Sequence, residues 1–310
     1  MGNSNFQPDL RVTIGSLTMK NPVGVASGTF GYGSEYEQLI PLETLGALYT
    51  KAVTLEPRPG NPIPRIVEAP GGMLNSIGLA NLGSRGFVQK KYPYLKSLPT
   101  QVIVNLAGSQ VEDYCETLEY LEEHAPLGGY EVNLSCPNVQ CGGMALGTDP
   151  LQVEFVVKEL RKRTAKPLII KLSPNVTDIT EIARASEAGG ADAVSCINTL
   201  VGMLIDTKKK KPVLSTITGG LSGPGILPVG LAAVFRVKRA VKIPVVGLGG
   251  IMSGDHAIQY LLAGASAIQV GTANFVDPEA TRTILKDIYH YAKEHSLESI
   301  TDFHTLMYPV

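Results

Sequence analysis

Several common signals are missing from this sequence. No run approaches the roughly 18 consecutive apolar residues that a membrane-spanning helix needs. The opening MGNSNFQPDLRV holds no apolar stretch of signal-peptide length, and Phe6 breaks the pattern that would make its Met-Gly start a myristoylation site. A soluble, cytoplasmic protein without a membrane role is expected. Charge of one sign is missing too. With 27 Lys and Arg against 28 Asp and Glu the formal net charge is −1, which argues against a nucleic-acid surface and an acidic tail. The one basic run, TKKKKP at 207–212, reads as a solvated loop. Cysteine is scarce: Cys115, Cys136, Cys141 and Cys196 form no CxxC pair and no histidine spacing completes a zinc set, so no metal site is expected. Cys115, on a helical stretch, and Cys196, at the end of an apolar run, read as reduced, packed thiols. Glycine (33) and proline (21) are plentiful but follow no period. With no internal repeat and no linker-like shift of composition, residues 1–310 read as one domain.

What is present is an alternation. Short apolar runs rich in Val and Ile occupy 22–27, 47–53, 101–107, 129–135, 167–173, 191–198, 243–250 and 265–272. Helix-like segments at 111–124, 150–164, 177–188, 229–240, 253–263 and 278–294 separate or follow them. Nearly continuous apolar strands are buried on both faces, as in a parallel sheet. Eight such strands with intervening helices predict an α/β protein of the TIM (β/α)8-barrel class. AGGAD at 188–192 and AGASA at 263–267 read as tight helix-to-strand turns. Two parts exceed a minimal barrel. LRVTIGSLTMK at 10–20 reads as an N-terminal hairpin turning at Gly15 and Ser16, placed to cap the barrel bottom. Residues 201–226, after strand 6, are too long for a simple βα loop and read as an insertion over the active-site face.

Chemistry in this fold sits at the C-terminal ends of the strands. Those ends carry Ser27 and Gly28, Lys51, Asn105, Asn133, Lys171, Asn198 and Thr199, Gly249 and Gly250, and Gly271 and Thr272. Burying an unpaired lysine is costly, so two lysines in such a ring point to a polar ligand. Glycine-rich ends on strands 7 and 8, with a helix starting near Ser253, suit a phosphate. Residues 247–254 are not a dinucleotide fingerprint, because Met252 stands where the third glycine belongs. A phosphate, two amides and Lys171 suit flavin mononucleotide, with the lysine at the N1–C2=O edge of the ring. The residues by themselves fit a sugar phosphate as well.

The motifs NPVGVASGTFGYGSEYE, TKAVTLEPRPGNPIPRI, NSIGLANLG, VNLSCPN, KLSPN, INTLVG, LSGPG, GLGGI and QVGTA occur in order along nearly the whole chain. Together they resemble the class 1 dihydroorotate dehydrogenases, most closely the NAD-linked subclass. The resemblance implies FMN-dependent oxidation of dihydroorotate to orotate in pyrimidine synthesis. It implies FMN contacts from Ser27, Lys51, Ala52, Asn105, Asn133, Lys171, Ile197, Gly223, Gly249, Gly250, Gly271 and Thr272. Substrate contacts are implied for Lys51, Asn75, Ser76, Ile77, Gly78, Leu79, Asn133, Asn198 and Thr199. Cys136, just after strand 4, matches the family's active-site base, which removes the C5 proton while C6 gives a hydride to the flavin. The quinone-linked class carries serine there and an N-terminal membrane segment, unlike this chain. Cys141 and Leu146 depart from the family pattern, where a polar residue and an aromatic are expected. The likeness also implies a partner iron–sulfur flavoprotein carrying FAD and a [2Fe-2S] cluster, with a homodimer core inside a heterotetramer. No iron–sulfur or dinucleotide motif occurs in this chain, which agrees with NAD bound on a partner and equally with a fumarate-linked homodimer. A non-redox, phosphate-binding barrel is the alternative of another class.

Overall fold

The computed structural model describes residues 6–134 and 146–307. Eight parallel strands close into a barrel: β1 (Val23–Val25), β2 (Ala47–Tyr49), β3 (Gln101–Leu106), β4 (Gly129–Asn133), β5 (Leu168–Leu172), β6 (Ala193–Cys196), β7 (Val245–Leu248) and β8 (Ala267–Val270). Each pairs with the next in chain order, and β8 closes onto β1. The strands form where both faces are covered. In β5, Leu168, Ile169, Ile170 and Leu172 are all essentially inaccessible, each contributing about 1.5–3 kcal/mol of burial.

Around the barrel lie α1 (Gly83–Lys90), α2 (Val111–His124), α3 (Pro150–Arg161), α4 (Ile179–Ala188), α5 (Leu227–Ala240), α6 (Gly254–Leu262) and α7 (Ala280–Glu294). Local chemistry sets their starts. Asp149 accepts from Leu151 N, with Pro150 as the first helical residue. Asp178 and Ser253 cap α4 and α6 in the same way. The expected helix-to-strand turns are present, with Gly190 at φ +97° and Gly264 at φ +108°, where a side chain would be strained. Cys115 lies on α2 and Cys196 ends β6; both are buried free thiols, and burial pushes both pKa values up. Among the described residues no helix is long and apolar enough to cross a membrane.

The hairpin pairs Val12–Ile14 with Leu17–Met19. Val12, Ile14, Leu17 and Met19 point inward, while Thr13 and Thr18 face solvent. Gln101, which opens β3, donates to Thr18 O at 3.2 Å, and a methyl on Gly15 would sit 2.8 Å from Asp192 Oδ1 just before β6. The hairpin therefore caps the N-terminal end of the barrel.

Two expectations gain detail. The strands are shorter than the apolar runs, because their polar and glycine ends leave the ladder to line the mouth. Residues 201–226 form the expected insertion after strand 6, and it is built into a sheet. Leu200–Gly202 and Gly219–Ser222 pair with each other, and the latter pairs with Gly72–Asn75, which pairs with Ile66–Ala69. This four-stranded antiparallel sheet joins the segment after β6 to the segment after β2. Lys208–Lys211 lie exposed, at and beside the tip of a small hairpin of Ile205–Asp206 with Lys211–Pro212, as expected of a solvated run.

Candidate active site

The polar strand ends gather at one mouth, in two groups and a cradle. The first group lies inside the barrel. Glu131, on β4, is wholly buried. Its Oε2 accepts from Asn105 Nδ2 at 2.7 Å and lies 3.5 Å from Lys171 Nζ. Its Oε1 accepts from Ser195 Oγ at 2.9 Å and Gln269 Nε2 at 2.7 Å. Register accounts for part of this: Asn105 is opposite Glu131, and Ser195 is opposite Lys171, while Lys171 itself is opposite Asn133. Tyr49 on β2 faces the same carboxylate; burial first, and then Glu131, push its pKa up. Lys171 also donates to Ser27 Oγ at 3.2 Å across the barrel. Lys171 is thus neutralised by the protein itself, and a ligand is not needed to explain its burial. Glu131, Ser195, Gln269 and Tyr49 are absent from the sequence-based set. A charged residue between Tyr130 and Val132 in an apolar strand was the available signal, since a buried carboxylate must be paired.

The second group brings together residues expected at the substrate. Asn198 Nδ2 donates to Asn133 Oδ1 at 3.3 Å, and Asn198 Oδ1 accepts from Thr199 N at 2.8 Å. The Thr199 side chain packs on Gly220, where a methyl would come within 2.1 Å of its Oγ1. Gly220 is in register with Asn75, whose Nδ2 donates to Gly220 O at 3.4 Å. The cap sheet therefore carries Asn75 to the ends of β4 and β6. Ser76 N donates to Arg65 O at 2.8 Å. Lys51, half-buried after β2, faces Arg65, Glu35 and Lys91. Desolvation, then Arg65, lower its pKa below the usual lysine range. Ile77 and Gly78 lie against Asn61, Asn81 Nδ2 donates to Leu79 O at 2.7 Å, and Leu79 holds φ +55°, a left-handed conformation uncommon for leucine.

The cradle joins three glycine-bearing segments. Gly250, at φ +76°, lies so close to α5 that a methyl there would meet Leu227 N at 2.6 Å. Gly249 lies against Ile197, whose N donates to Leu248 O at 2.9 Å. Thr272 Oγ1 donates to Ser222 Oγ at 2.9 Å, which ties Gly271 and Thr272 to Gly223. Ala52 is buried next to Val53, whose N donates to Asn105 O at 2.8 Å. Backbone N–H groups beside helix N-termini make such a cradle suited to an anion. Tyr260 holds it in place, donating to Gly249 O at 2.7 Å.

Gly230 on α5 makes room for that tyrosine, since a methyl there would sit 1.9 Å from the Tyr260 hydroxyl oxygen. Gly230→Ala is therefore expected to cost about 1–3 kcal/mol, read by urea unfolding, and to loosen phosphate-ligand retention. Unchanged stability and retention would contradict this packing.

Cys136 and Cys141 lie outside the described residues. Flanking them, Leu134 and Leu146 are buried, and a methyl on Gly147 would meet Leu134 O at 2.6 Å. Leu146 is thus a core residue.

A closed (β/α)8 barrel with polar side chains gathered at the C-terminal ends of its strands is the architecture of a barrel enzyme. The chain belongs to the dihydroorotate dehydrogenase family, whose model matches residues 9–291. It is 51% identical over 295 residues to the dihydroorotate dehydrogenase B (NAD(+)), catalytic subunit, of Geobacter sp. strain M21, covering 95% of this chain and 97% of that protein. The identically named protein of Pelobacter propionicus is 52% identical over 297 residues, 96% of this chain and 98% of its own. That of Geobacter sulfurreducens is 51% identical over 296 residues, 96% and 97% of the two chains.

Proposed function

We propose that this chain, as one FMN-binding barrel, oxidises dihydroorotate to orotate in pyrimidine synthesis. In this reading it is the catalytic subunit of an NAD-linked enzyme. Electrons leave through an iron–sulfur flavoprotein partner that carries FAD and a [2Fe-2S] cluster. The names of the relatives support NAD over fumarate as the final acceptor.

The observation that carries the flavin reading is Asn105. It is wholly buried, and among the described residues its Oδ1 has no hydrogen-bond partner. A buried acceptor left empty costs about 1–3 kcal/mol, and a flavin ring N–H is a suitable donor. The glycine cradle fits the phosphate of the same molecule. Gly223, Gly249, Gly250, Gly271 and Thr272 would hold that phosphate by backbone N–H groups. Ser27, Lys51, Ala52, Asn105, Asn133, Lys171 and Ile197 would surround the ring system.

When bound, FMN supplies the two-electron acceptor for the hydride leaving C6. The chain's own residues do the rest. The Lys51 ammonium holds the substrate carboxylate. Asn133, Asn198, Thr199 and Asn75 hold the polar edges of the pyrimidine, and the 76–79 segment closes one side. Fixing the carboxylate and both edges leaves C5 and C6 in one orientation. Cys136 takes the proton from C5 as a thiolate.

Orotate binding tests the role of Lys51. The ammonium is needed, and its pKa is lowered. Affinity is therefore expected to hold near neutral pH and to fall as pH rises through that lowered pKa, below the ordinary value of about 10.4. Lys51→Gln should bind orotate more weakly and lose this pH dependence. An orotate titration that stays flat to about pH 10 would remove Lys51 from the carboxylate site.

A further inference from the structure

The Glu131 cluster does more than balance charge. The buried Glu131 carboxylate accepts three hydrogen bonds, from Asn105 on Oε2 and from Ser195 and Gln269 on Oε1, and Lys171 forms an ion pair with Oε2. Because a carboxylate can only accept, the amide NH2 of Asn105 must face it. The Asn105 Oδ1 is thereby turned away from Glu131, as an acceptor with no partner among the described residues. The same carboxylate stands beside the Lys171 ammonium, with both groups nearly inaccessible to water. At that burial their interaction is weakly screened. Part of the lysine's charge is therefore cancelled before it can act on anything else at the mouth.

We propose that Glu131 is a positioning and tuning residue for the flavin site. It fixes the Asn105 amide with its acceptor outward, and it sets how much of the Lys171 charge reaches the ring. The inference rests on the FMN reading above. It treats Glu131 as acting through its two neighbours, without touching substrate or cofactor. Reduced flavin carries negative charge at its N1–C2=O edge, so an ammonium there favours reduction. The carboxylate opposes that, holding the potential lower than Lys171 alone would.

The test compares the native chain with Glu131→Gln, which keeps the size and removes the charge. Circular dichroism checks the fold. FMN titration into apoprotein reads affinity, and anaerobic dye equilibration reads the flavin potential. Glu131→Gln is expected to raise the potential and to weaken FMN binding about tenfold, the loss of one well-oriented hydrogen bond. In a Lys171→Met background the potential shift should vanish, since no ammonium is left to uncover. A folded Glu131→Gln protein with native potential overturns the tuning role, as does an equal shift in the Lys171→Met background. Unchanged affinity overturns the Asn105 role. If Glu131→Gln does not fold, Ser195→Ala carries the test. Losing that hydroxyl leaves more carboxylate charge to act on Lys171, so the potential is expected to fall; an unchanged value contradicts the proposal. A native chain that binds no FMN would sink the flavin reading and this inference together, whereas native binding with unshifted variants sinks the inference alone.

Discussion

Cys136→Ser is expected to slow reduction of bound FMN by dihydroorotate about 10²–10⁴-fold at neutral pH, the range for losing a positioned acid–base group. The reason is acidity. A thiol begins near pKa ~8.5 and is partly ionised around neutrality, whereas a serine hydroxyl is a far weaker acid. Neither the fold nor the cofactor contacts depend on that sulfur in this account, so flavin content should stay native. Anaerobic stopped-flow at several pH values is the measurement. The variant should recover part of the lost rate as pH rises, and the native chain should level off once its thiol is ionised. Native-rate reduction in Cys136→Ser would remove the cysteine from the mechanism.

Lys171→Ala should damage both stability and cofactor binding. The substitution removes the cation paired with a fully buried carboxylate. The remaining partners, Asn105, Ser195 and Gln269, are neutral donors. Breaking one side of a buried pair costs about 3–5 kcal/mol, large against typical domain stabilities of about 5–15 kcal/mol. Loss of the bond to Ser27 adds to this. Denaturant unfolding of the apoprotein should show the stability loss. Flavin retention should weaken, and any flavin retained should have a lower potential. Native stability would refute the pairing with Glu131, and a native potential would refute the ring-edge role of Lys171.

The barrel was legible because its signal is local. Apolar runs such as PLIIKLS and IPVVGLGG mark strands covered on both faces, and α2, Val111–His124, coincides with its sequence pattern. Ring residues at strand ends were legible for the same reason. The cap sheet was not. Ile66–Ala69 and Gly72–Asn75 are short, partly exposed and rich in glycine nearby, and the partner of Asn75 lies 145 residues further on. Nothing within either segment announces such a pairing. The Glu131 cluster was half visible. Lys171 stood out as a costly charge in an apolar strand, yet its counter-ion was sought in a ligand rather than in the neighbouring strand. Matching the two charges needs the register of β4 and β5, in which Asn133 faces Lys171 and Glu131 faces Ile169. Sequence periodicity fixes which residues share a face, and not how adjacent strands are staggered.

The most direct test of the central claim is the reductive half-reaction of the purified chain. Dihydroorotate is added without oxygen while the visible flavin band is followed. The account predicts a yellow protein whose band bleaches on addition of dihydroorotate. A yellow protein that keeps its colour, or a colourless one that cannot be reconstituted with FMN, would contradict it.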